Sequence, residues 1–535
     1  MSETNNSKTI FTFFIDVESI ENKFTFSDLV IQDSHSFDLK IEFSQPIISF
    51  RNHNYEWVDV SKDRMANDFS PKIIRLQNGT YIQANTNVGI WEVRKENPNV
   101  LLWRFNPELA APITQYRTEI NTKRILSAQS ELCFQEDLAL LFSKNNVIEL
   151  SRSPIPFSAV ACFTDHCDYD TADNLKIQSD FFKSNGIKTT KGFFLNHFSK
   201  RADNASYQND KTALDQWRND GHELCYHSLT QSIRTDKEAF QEFENFTPPY
   251  SNIPVWIDHG FQPYNFSLFE KNNIPKEHYE TELSNKNITV LWNYIDAGNA
   301  TTGIINQLNP EQFNLSQYAL SIKGKSFFKR MVLLVKNIIF HYDNDEHRVR
   351  NYIDTLTYTK ALLQKKKVTA IFKLIKNLTP IIWISLKVLF TWDKAKKTTY
   401  KVAKYSPIFF KHKIHEKEFY VFQTIEMVDF ITALSSQNID SLIDESGLFI
   451  AHTYFSVNMK HYAGKLINND GSLNEKVVAN FDYLAHKIQQ KAIWNPTLSQ
   501  LLEVYKNYQN TLFDIDEKGT IFIKNNFNIP SRNVL

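Results

Sequence analysis

The first part of the chain consists of short runs in which apolar and polar residues alternate. Between residues 9 and 149, runs such as FDLKIEF, YEWVDV and NVGIWEV are separated by clusters of Asn, Asp, Ser and Gly. Strict alternation over about four to eight residues is typical of strands with one buried face. We therefore predict a β-rich, sandwich-like N-terminal domain over residues 1–150. Its aromatic residues either fill the sandwich core or form a carbohydrate-binding face.

After residue 150 the pattern changes to strands that alternate with helices. SAVACFT and HELCYHS are buried-strand runs, whereas DTADNLKIQSDFFKSNGI has apolar residues at helical spacing and ends at Gly186, a typical C-cap. This alternation favours a parallel sheet or barrel, in which chemistry lies at the carboxyl ends of the strands. We predict one α/β catalytic domain formed by residues 151–322 and by residues 416–535, which include a C-terminal tail.

The catalytic domain is interrupted by a basic segment, predicted as a helical insertion over residues 323–415. Residues 323–413 contain 21 Lys and Arg against 5 Asp and Glu, a net charge of +16, so the rest of the neutral chain carries −16. Its lysines stand among bulky apolar residues, as in FFKRMVLLVKNIIF. Two interpretations remain open. The insertion either contacts an anionic membrane or acidic partner, or buries its apolar side on the enzyme and leaves its lysines in water.

Composition and charge exclude several classes of protein. Lys and Arg total 60, as do Asp and Glu, so the basic excess of a nucleic-acid binder is missing. Four cysteines are too few for a disulfide scaffold and indicate a reducing compartment. The N-terminus lacks the basic and apolar regions of a signal peptide, and NLTPIIWISL has about half the length of a membrane span. We expect a cytoplasmic protein, peripheral at the inner membrane face if the insertion binds lipid.

The first cluster of residues that could form a functional site is CFTDHCDYDT, directly after a buried strand. It brings Asp165, His166, Asp168 and Asp170 to one strand end. Placing several carboxylates and an imidazole together at a buried strand end costs free energy unless the groups are paired or bind a cation. An acidic loop that caps the next helix would explain Asp170, but not Asp165 or His166. A metal or acid–base site therefore explains the cluster better.

The second cluster is GHELCYHSLTQ, which carries His222 and His227 on one predicted strand. Residues five apart point to opposite faces of a strand, so only one of them reaches a site. We prefer His227, at the carboxyl end, and expect His222 to be a hydrogen-bonded core residue. No CxxC pair supports a thiolate zinc site. Phosphate loops, dinucleotide GxGxxG motifs and GxSxG elbows are missing from the sequence, which argues against the corresponding enzyme classes.

The order of these motifs resembles that of the polysaccharide deacetylases of carbohydrate esterase family 4. That family has TFDDG, GHEIGNHTxxH, an Arg-x-Pro-aromatic motif and a late apolar strand that ends in His; this chain has FTDHCD, GHELCYHSLTQ, GFQPYN and GLFIAHTYF. The similarity covers about residues 158–320 and 419–464. It implies a distorted (β/α) barrel with one divalent ion, most often zinc, that hydrolyses an N- or O-acetyl group on a polysaccharide or surface-glycan precursor.

The resemblance also implies roles for individual residues. Asp165 takes the position of the catalytic base and His452 that of the acid. The metal ligands are drawn from His166, Asp168, His227 and His259. In this scheme the metal lowers the pKa of water, a carboxylate accepts the proton and an imidazole protonates the leaving group.

Two positions depart from the family pattern. Gln231 stands in place of the second metal-binding His, and Phe261 in place of the third-motif Arg. An amide oxygen is a poor zinc ligand, so His259 or His166 has to supply the missing imidazole. These departures leave a second function open, a glycan-binding protein whose barrel has lost metal and activity.

The predicted substrate-binding residues surround the third motif and the strand that follows it. Trp292 and Asp296 would wall the sugar site or orient the base. Alternatively, Trp292 is a buried strand aromatic and Asp296 caps a helix. The full predicted set is Asp258, Tyr264, Trp292 and Asp296.

Overall fold

A computed structural model describes residues 9–27, 35–116, 123–128, 130–201, 203–299, 305–365, 370–427, 429–456, 464–525 and 527–535. Its N-terminal part is built from strands: β1 (Thr9–Ile15), β2 (Lys23–Thr25), β3 (Phe37–Phe43), β4 (Ile47–Arg51), β5 (Trp57–Asp59), β6 (Arg64–Ala66), β7 (Ile73–Leu76), β8 (Tyr81–Ala84), β9 (Ile90–Val93), β10 (Val100–Phe105), β11 (Pro112–Tyr116), β12 (Lys123–Ser127), β13 (Ala139–Ser143) and β14 (Val147–Leu150).

Two sheets of the N-terminal part pack around a shared core. Their strand orders are β1-β3-β10-β9-β6 and β2-β13-β8-β7-β4-β5. The alternation in FDLKIEF puts Phe37, Leu39 and Ile41 in that core, because successive side chains of a strand face opposite sides. Trp91 and Trp103 are fully buried in the same core. These aromatic side chains therefore belong to the core rather than to a carbohydrate-binding face.

A large sheet forms the centre of the molecule, with strands β15 (Ala159–Asp165), β16 (Thr190–Phe193), β17 (Glu223–His227), β18 (Val255–Ile257), β19 (Val290–Trp292), β20 (Asp296–Asn299), β21 (Phe409–Lys413), β22 (Glu418–Phe422), β23 (Thr424–Glu426), β24 (Leu448–Thr453) and β25 (Ile493–Trp494). The order is β20-β23-β24-β15-β16-β17-β18-β19-β22-β21, with β25 beside β15. Neighbours are parallel except β21 and β22. The α/β class is confirmed, and the sheet is a curled half-barrel.

The helices are α1 (Ala172–Asn185), α2 (Tyr207–Asn219), α3 (Asp236–Asn245), α4 (Lys276–Asn285), α5 (Leu315–Ser321), α6 (Phe327–Asn337), α7 (Glu346–Lys365), α8 (Ala370–Phe390), α9 (Trp392–Ala395), α10 (Phe430–Ala433), α11 (Ser436–Asp444), α12 (Glu475–Gln489) and α13 (Leu498–Asn510). As predicted, Gly186 ends α1 in the left-handed conformation, with φ 63°. Helices α6 to α9 occupy the basic insertion between β20 and β21. Within the described parts of the chain, no helix combines the length and apolarity needed to cross a membrane.

The C-terminal strands return to the N-terminal part: β26 (Phe513–Ile515), β27 (Ile521–Ile523) and β28 (Ser531–Val534). Strand β28 pairs with β14 in antiparallel register. The buried carboxylate of Glu149 binds Arg51 and Arg532, which joins the C-terminal strand β28 to the N-terminal part.

The alternation along β15 decides which side chains face the site. Ala161 and Phe163 pack with the surrounding helices, and Phe163 contacts Phe481 of α12 at 5.9 Å between ring centroids. Val160 and Cys162 point to the opposite side of the sheet. Because side chains alternate, Asp165 continues the helix-facing series of Ala161 and Phe163.

Candidate metal centre

Three side chains gather at the carboxyl edge of the central sheet. His166 and Asp168 follow β15, and His227 ends β17, with β16 between the two strands. One ligand atom from each lies within 4.8 Å of the others, and the two histidines are buried. Two imidazoles and a carboxylate are a ligand set used by zinc and other transition metals. This group could therefore hold a metal ion.

His259, which follows β18, completes a tighter triangle with two of these residues. Its Nδ1 lies 3.0 Å from an oxygen of Asp168 and 3.1 Å from Nε2 of His227. Nε2 of His227 lies 3.0 Å from the other Asp168 oxygen. Ligand atoms around one tetrahedral zinc ion, at about 2.0–2.2 Å from it, are separated by roughly 3.3 Å. The separations between the three ligand atoms are thus close to those expected when all three bind the same ion.

The second nitrogen of His259 is held by the backbone at Gln231. Nε2–H donates to the carbonyl oxygen of Gln231 at 2.9 Å, which leaves Nδ1 free to act as a ligand. The side-chain oxygen of Gln231 accepts hydrogen bonds from Ser199 and Ser232 instead. The backbone of Gln231 therefore orients the imidazole of His259, with its Nδ1 toward Asp168 and His227.

Electrostatics favour the protonation states that metal binding needs. Burial alone would raise the pKa of Asp168, but the adjoining rings of His259 and His227 outweigh it and hold this pKa well below its usual value. Burial lowers the pKa of His227 to about 4 and that of His166 well below its usual value. An ionised carboxylate and neutral imidazoles are the forms that bind metals. Burial also opposes the charge on His259, yet Asp168 raises its pKa, so a proton and a cation compete there.

His452, at the end of β24, lies against this group. Its ring stacks on His166 with centroids 4.0 Å apart, and its Nδ1 lies 3.2 Å from Asp296. Burial opposes the charged form of His452, but the carboxylate of Asp296 outweighs burial and raises the pKa. The buried Nε2 atoms of His452 and His166 find no hydrogen-bond partner among the described residues. Buried polar atoms are almost always paired, so these nitrogens point to a bound group.

Asp165 lies outside this cluster. Its fully buried carboxylate pairs with Lys191 of β16 and accepts hydrogen bonds from the Phe455 N–H at 3.1 Å and the Thr453 hydroxyl at 3.2 Å. Lys191 also pairs with Asp170. The assignment of Asp165 as the catalytic base is corrected accordingly, because the alternation along β15 turns this side chain toward the helices.

Two predicted substrate-binding residues are structural. Asp258 is fully buried and accepts hydrogen bonds from Ser267 and from the Phe266 N–H at 3.0 Å, and burial raises its pKa to about 6. Tyr264 is also fully buried and stacks on Phe243 with ring centroids 5.1 Å apart. Neither side chain is accessible to a substrate, so both assignments are corrected.

Trp292 and Asp296 both lie at the site, and the alternative that Trp292 is a buried strand aromatic is confirmed. The Trp292 ring lies 4.9 Å from the rings of both His166 and His452, yet it is only 1% exposed. It is a buried strand aromatic that supports the histidines and does not face a sugar. Asp296 begins β20, so it caps no helix, and it orients His452.

Several residues near the site were missed by sequence reasoning. Lys191 gave no signal, because a lysine in a strand resembles an ordinary edge residue. Tyr454 stands two positions after His452, and its half-buried ring lies 5.1 Å from the rings of both His166 and His452. By contrast, the prediction for His222 is confirmed: it is 6% exposed, and its Nδ1 accepts the Thr189 N–H.

A polar cavity of about 240 Å³ lies next to Tyr169, in the loop after β15, and its lining residues do not include the candidate metal ligands. Arg201 and Asn204 line it and donate to the backbone oxygen of Asp168 at 3.0 and 2.9 Å. The Arg201 guanidinium lies over the Tyr169 ring, 3.9 Å from its centroid. Amides, hydroxyls and the charged side chains of Arg201, Asp203 and Lys465 line this cavity, so it suits a polar ligand.

Comparison of the chain with protein-family models, with curated proteins and with solved structures returned no match.

Proposed function

We propose that this chain is a metal-dependent hydrolase of the polysaccharide deacetylase type, with a distorted (β/α) barrel, which removes an N- or O-linked acetyl group from a carbohydrate. One observation carries the proposal: the triangle with edges of 3.0–3.1 Å formed by Asp168, His227 and His259. A catalytic zinc ion takes three protein ligands of these types and keeps one position open. The order of the four family motifs along the chain supports the same assignment.

Asp168, His227 and His259 would hold the ion, and His166 is a fourth candidate ligand. We propose zinc, because the donors are nitrogen and oxygen atoms and the nearby thiols are buried. Burial raises the pKa of Cys162, Cys167 and Cys225 well above the usual value. When bound, such an ion lowers the pKa of water and polarises an acyl carbonyl.

His452 is the group best suited to move protons. Its Nδ1–H donates to Asp296, which fixes the tautomer and leaves Nε2 directed at the site. We assign to this nitrogen both the removal of a proton from water and its delivery to the leaving group, since the carboxylate of Asp165 is paired with Lys191. Nε2 accepts a proton as water oxygen bonds to the acyl carbon, and then donates it to the leaving nitrogen or oxygen as the acyl bond breaks.

The polar cavity next to Tyr169 is the proposed sugar subsite. Its lining includes Arg201, Asn174 and Asn204. Hydrogen bonds from these groups would orient the saccharide so that its acetyl group reaches the metal centre. The substrate class proposed is an acetylated polysaccharide or a surface-glycan precursor.

Acetate release tests the function directly. The zinc-loaded protein is incubated with acetylated saccharides that carry either amide or ester acetyl groups. We expect release by the unmodified protein and a loss of about 100-fold or more in His452→Gln, the usual value of one proton-transfer group. His486→Gln, at an exposed histidine of α12, is the matched control and should keep full activity. No release from any acetylated saccharide would contradict the proposal.

The glycan-binding alternative has specific support. Lys191 sequesters the carboxylate that the family uses as its base, and Phe261 replaces the third-motif Arg. In this case saccharides would bind to the polar cavity without turnover. Saccharide binding by calorimetry that persists in His452→Gln, together with no acetate release by the unmodified protein, would favour this alternative.

A further inference from the structure

Helix α8 exposes an apolar face to solvent. Of the 22 large apolar side chains that are exposed among the described residues, 14 lie between residues 320 and 390. Those on α8 range from 37% to 88% exposed and recur at helical spacing; they include Phe372, Ile375, Ile382, Trp383, Leu386 and Phe390. The exposed apolar face is therefore continuous along the helix.

The opposite face of α8 is apolar too and is already covered. Ile381, Ile384 and Val388 are 4%, 8% and 1% exposed and belong to the core of the catalytic domain. A helix that packs on a soluble domain normally presents polar residues to water. An exposed apolar patch of this kind marks an interaction surface. Helix α8 thus has one face for its own domain and a second face for a partner.

The charges carried by α6 and α8 themselves are all basic. Neither α6 nor α8 contains an acidic residue, and the exposed lysines of α8 are Lys373, Lys376 and Lys387. Helix α6 begins with exposed Phe327 and Phe328, followed by a Lys and an Arg. Acidic residues elsewhere in the insertion pair with neighbouring basic residues: Asp343 with Arg348, Asp354 with Arg350 and Asp393 with Lys396.

These charges distinguish between two partners that could cover the apolar face, a second copy of the chain and an anionic membrane. A second copy of the chain in a twofold dimer would bring the same lysines against each other. An anionic leaflet offers the complementary charge, and lysines can extend to its headgroups while neighbouring apolar side chains enter the interface. No described helix is suited to span a bilayer, so α8 would lie along the interface.

We propose that α8, together with the start of α6, is a membrane-docking surface. It inserts Phe372, Trp383 and Phe390 into the headgroup boundary of an anionic bilayer and holds the headgroups with Lys373 and Lys376. The protein is peripheral at this membrane. This proposal is independent of the reaction at the metal centre, because it rests only on the insertion.

Co-sedimentation with vesicles tests the charge component. The full chain should pellet with phosphatidylcholine vesicles that contain phosphatidylglycerol and should pellet little with phosphatidylcholine alone. High salt should release part of it, because the Debye length shortens. The triple substitution Lys373→Gln, Lys376→Gln and Lys387→Gln should weaken partitioning on the order of 100-fold. Equal binding to both kinds of vesicle, or to neither, would overturn the proposal.

Trp383 provides a direct readout of insertion, since it is 71% exposed. Brominated lipids should quench fluorescence in the unmodified protein, and Trp383→Phe should remove this quenching. Phe390→Ser should weaken binding, whereas Phe14→Ser, at a 67% exposed position of β1, is the matched control and should not. A dimer in vesicle-free solution that Phe390→Ser dissociates, combined with unchanged lipid binding, would assign the face to a second copy and overturn the proposal.

Discussion

Asp168 connects the candidate ligands at the scale of single residues. Each of its carboxylate oxygens faces one histidine at 3.0 Å, and its backbone oxygen accepts hydrogen bonds from Arg201 and Asn204. The side chain is therefore fixed before any ligand arrives. Such preorganisation reduces the cost of assembling a metal site and keeps its geometry.

Asp168→Asn should lose metal with little change in shape. The amide keeps the volume of the carboxylate but removes its charge and replaces one acceptor by a donor. We expect metal affinity to fall by at least about 100-fold, beyond the effect typical of outer-shell partners. Elemental analysis after dialysis against buffered zinc measures this change. Metal content equal to that of the unmodified protein would contradict the assignment, and His486→Ala is the control.

Lys191 supports the fold rather than the reaction. It is fully buried and pairs with Asp165 and Asp170, so two carboxylates share one ammonium. Lys191→Met leaves both carboxylates without a buried counter-charge, which typically costs about 3–5 kcal/mol in the free energy of unfolding. Urea unfolding measures this loss. The exposed Lys176→Met is the control, and an unchanged midpoint in Lys191→Met would contradict the role.

At the scale of elements, one histidine stands at each end of β17, and the two have different roles. His227 ends the strand at the candidate metal centre, whereas His222 precedes the strand and accepts the Thr189 N–H at 3.2 Å. Burial lowers the pKa of His222 to about 4. In the unfolded chain His222 thus binds a proton below about pH 6.5. In the folded protein it binds this proton only below about pH 4.

This difference gives a sign to the pH dependence. The free energy of unfolding is highest above pH 6.5 and decreases as the pH falls toward 4, by up to about 1.4 kcal/mol per pH unit. His222→Gln removes the titration, so its unfolding free energy should depend less steeply on pH in this window. Urea unfolding at several pH values tests this expectation, with His486→Gln as control. An identical slope in His222→Gln would contradict it.

The sequence predicted some elements for clear physical reasons and missed others. Alternation of apolar residues predicted the N-terminal strands, and Gly186 predicted the end of α1. The same alternation in AVACFTD could have shown that Asp165 faces the helices, but the motif resemblance outweighed it. The exposed face of α8 was beyond prediction, because the helix is apolar on both sides and only tertiary packing decides which side is covered.

At the scale of the whole molecule, the N-terminal strands contribute to the surroundings of the site. Tyr116 of β11 contacts the ring of Phe261 at 5.3 Å and that of Tyr294 at 5.9 Å. The N–H of Tyr116 donates to the Ser267 oxygen at 2.9 Å. Phe261 therefore forms an aromatic contact between the N-terminal part and the loop that follows β18.

The charge of the molecule is divided between its parts. The insertion carries +16 over residues 323–413, and the remaining chain carries −16, so the neutral total conceals a strong asymmetry. An anionic surface would attract the insertion and repel the rest. This asymmetry would orient the protein on a membrane, in agreement with the exposed apolar face of α8.

We expect one divalent ion to bind between the ends of β15, β17 and β18. Anomalous diffraction from crystals of the zinc-loaded protein tests it most directly. We predict one peak at about 2.0–2.2 Å from an oxygen of Asp168, Nε2 of His227 and Nδ1 of His259. A peak at the cysteines, or zinc-loaded crystals without a peak between these three residues, would contradict the account.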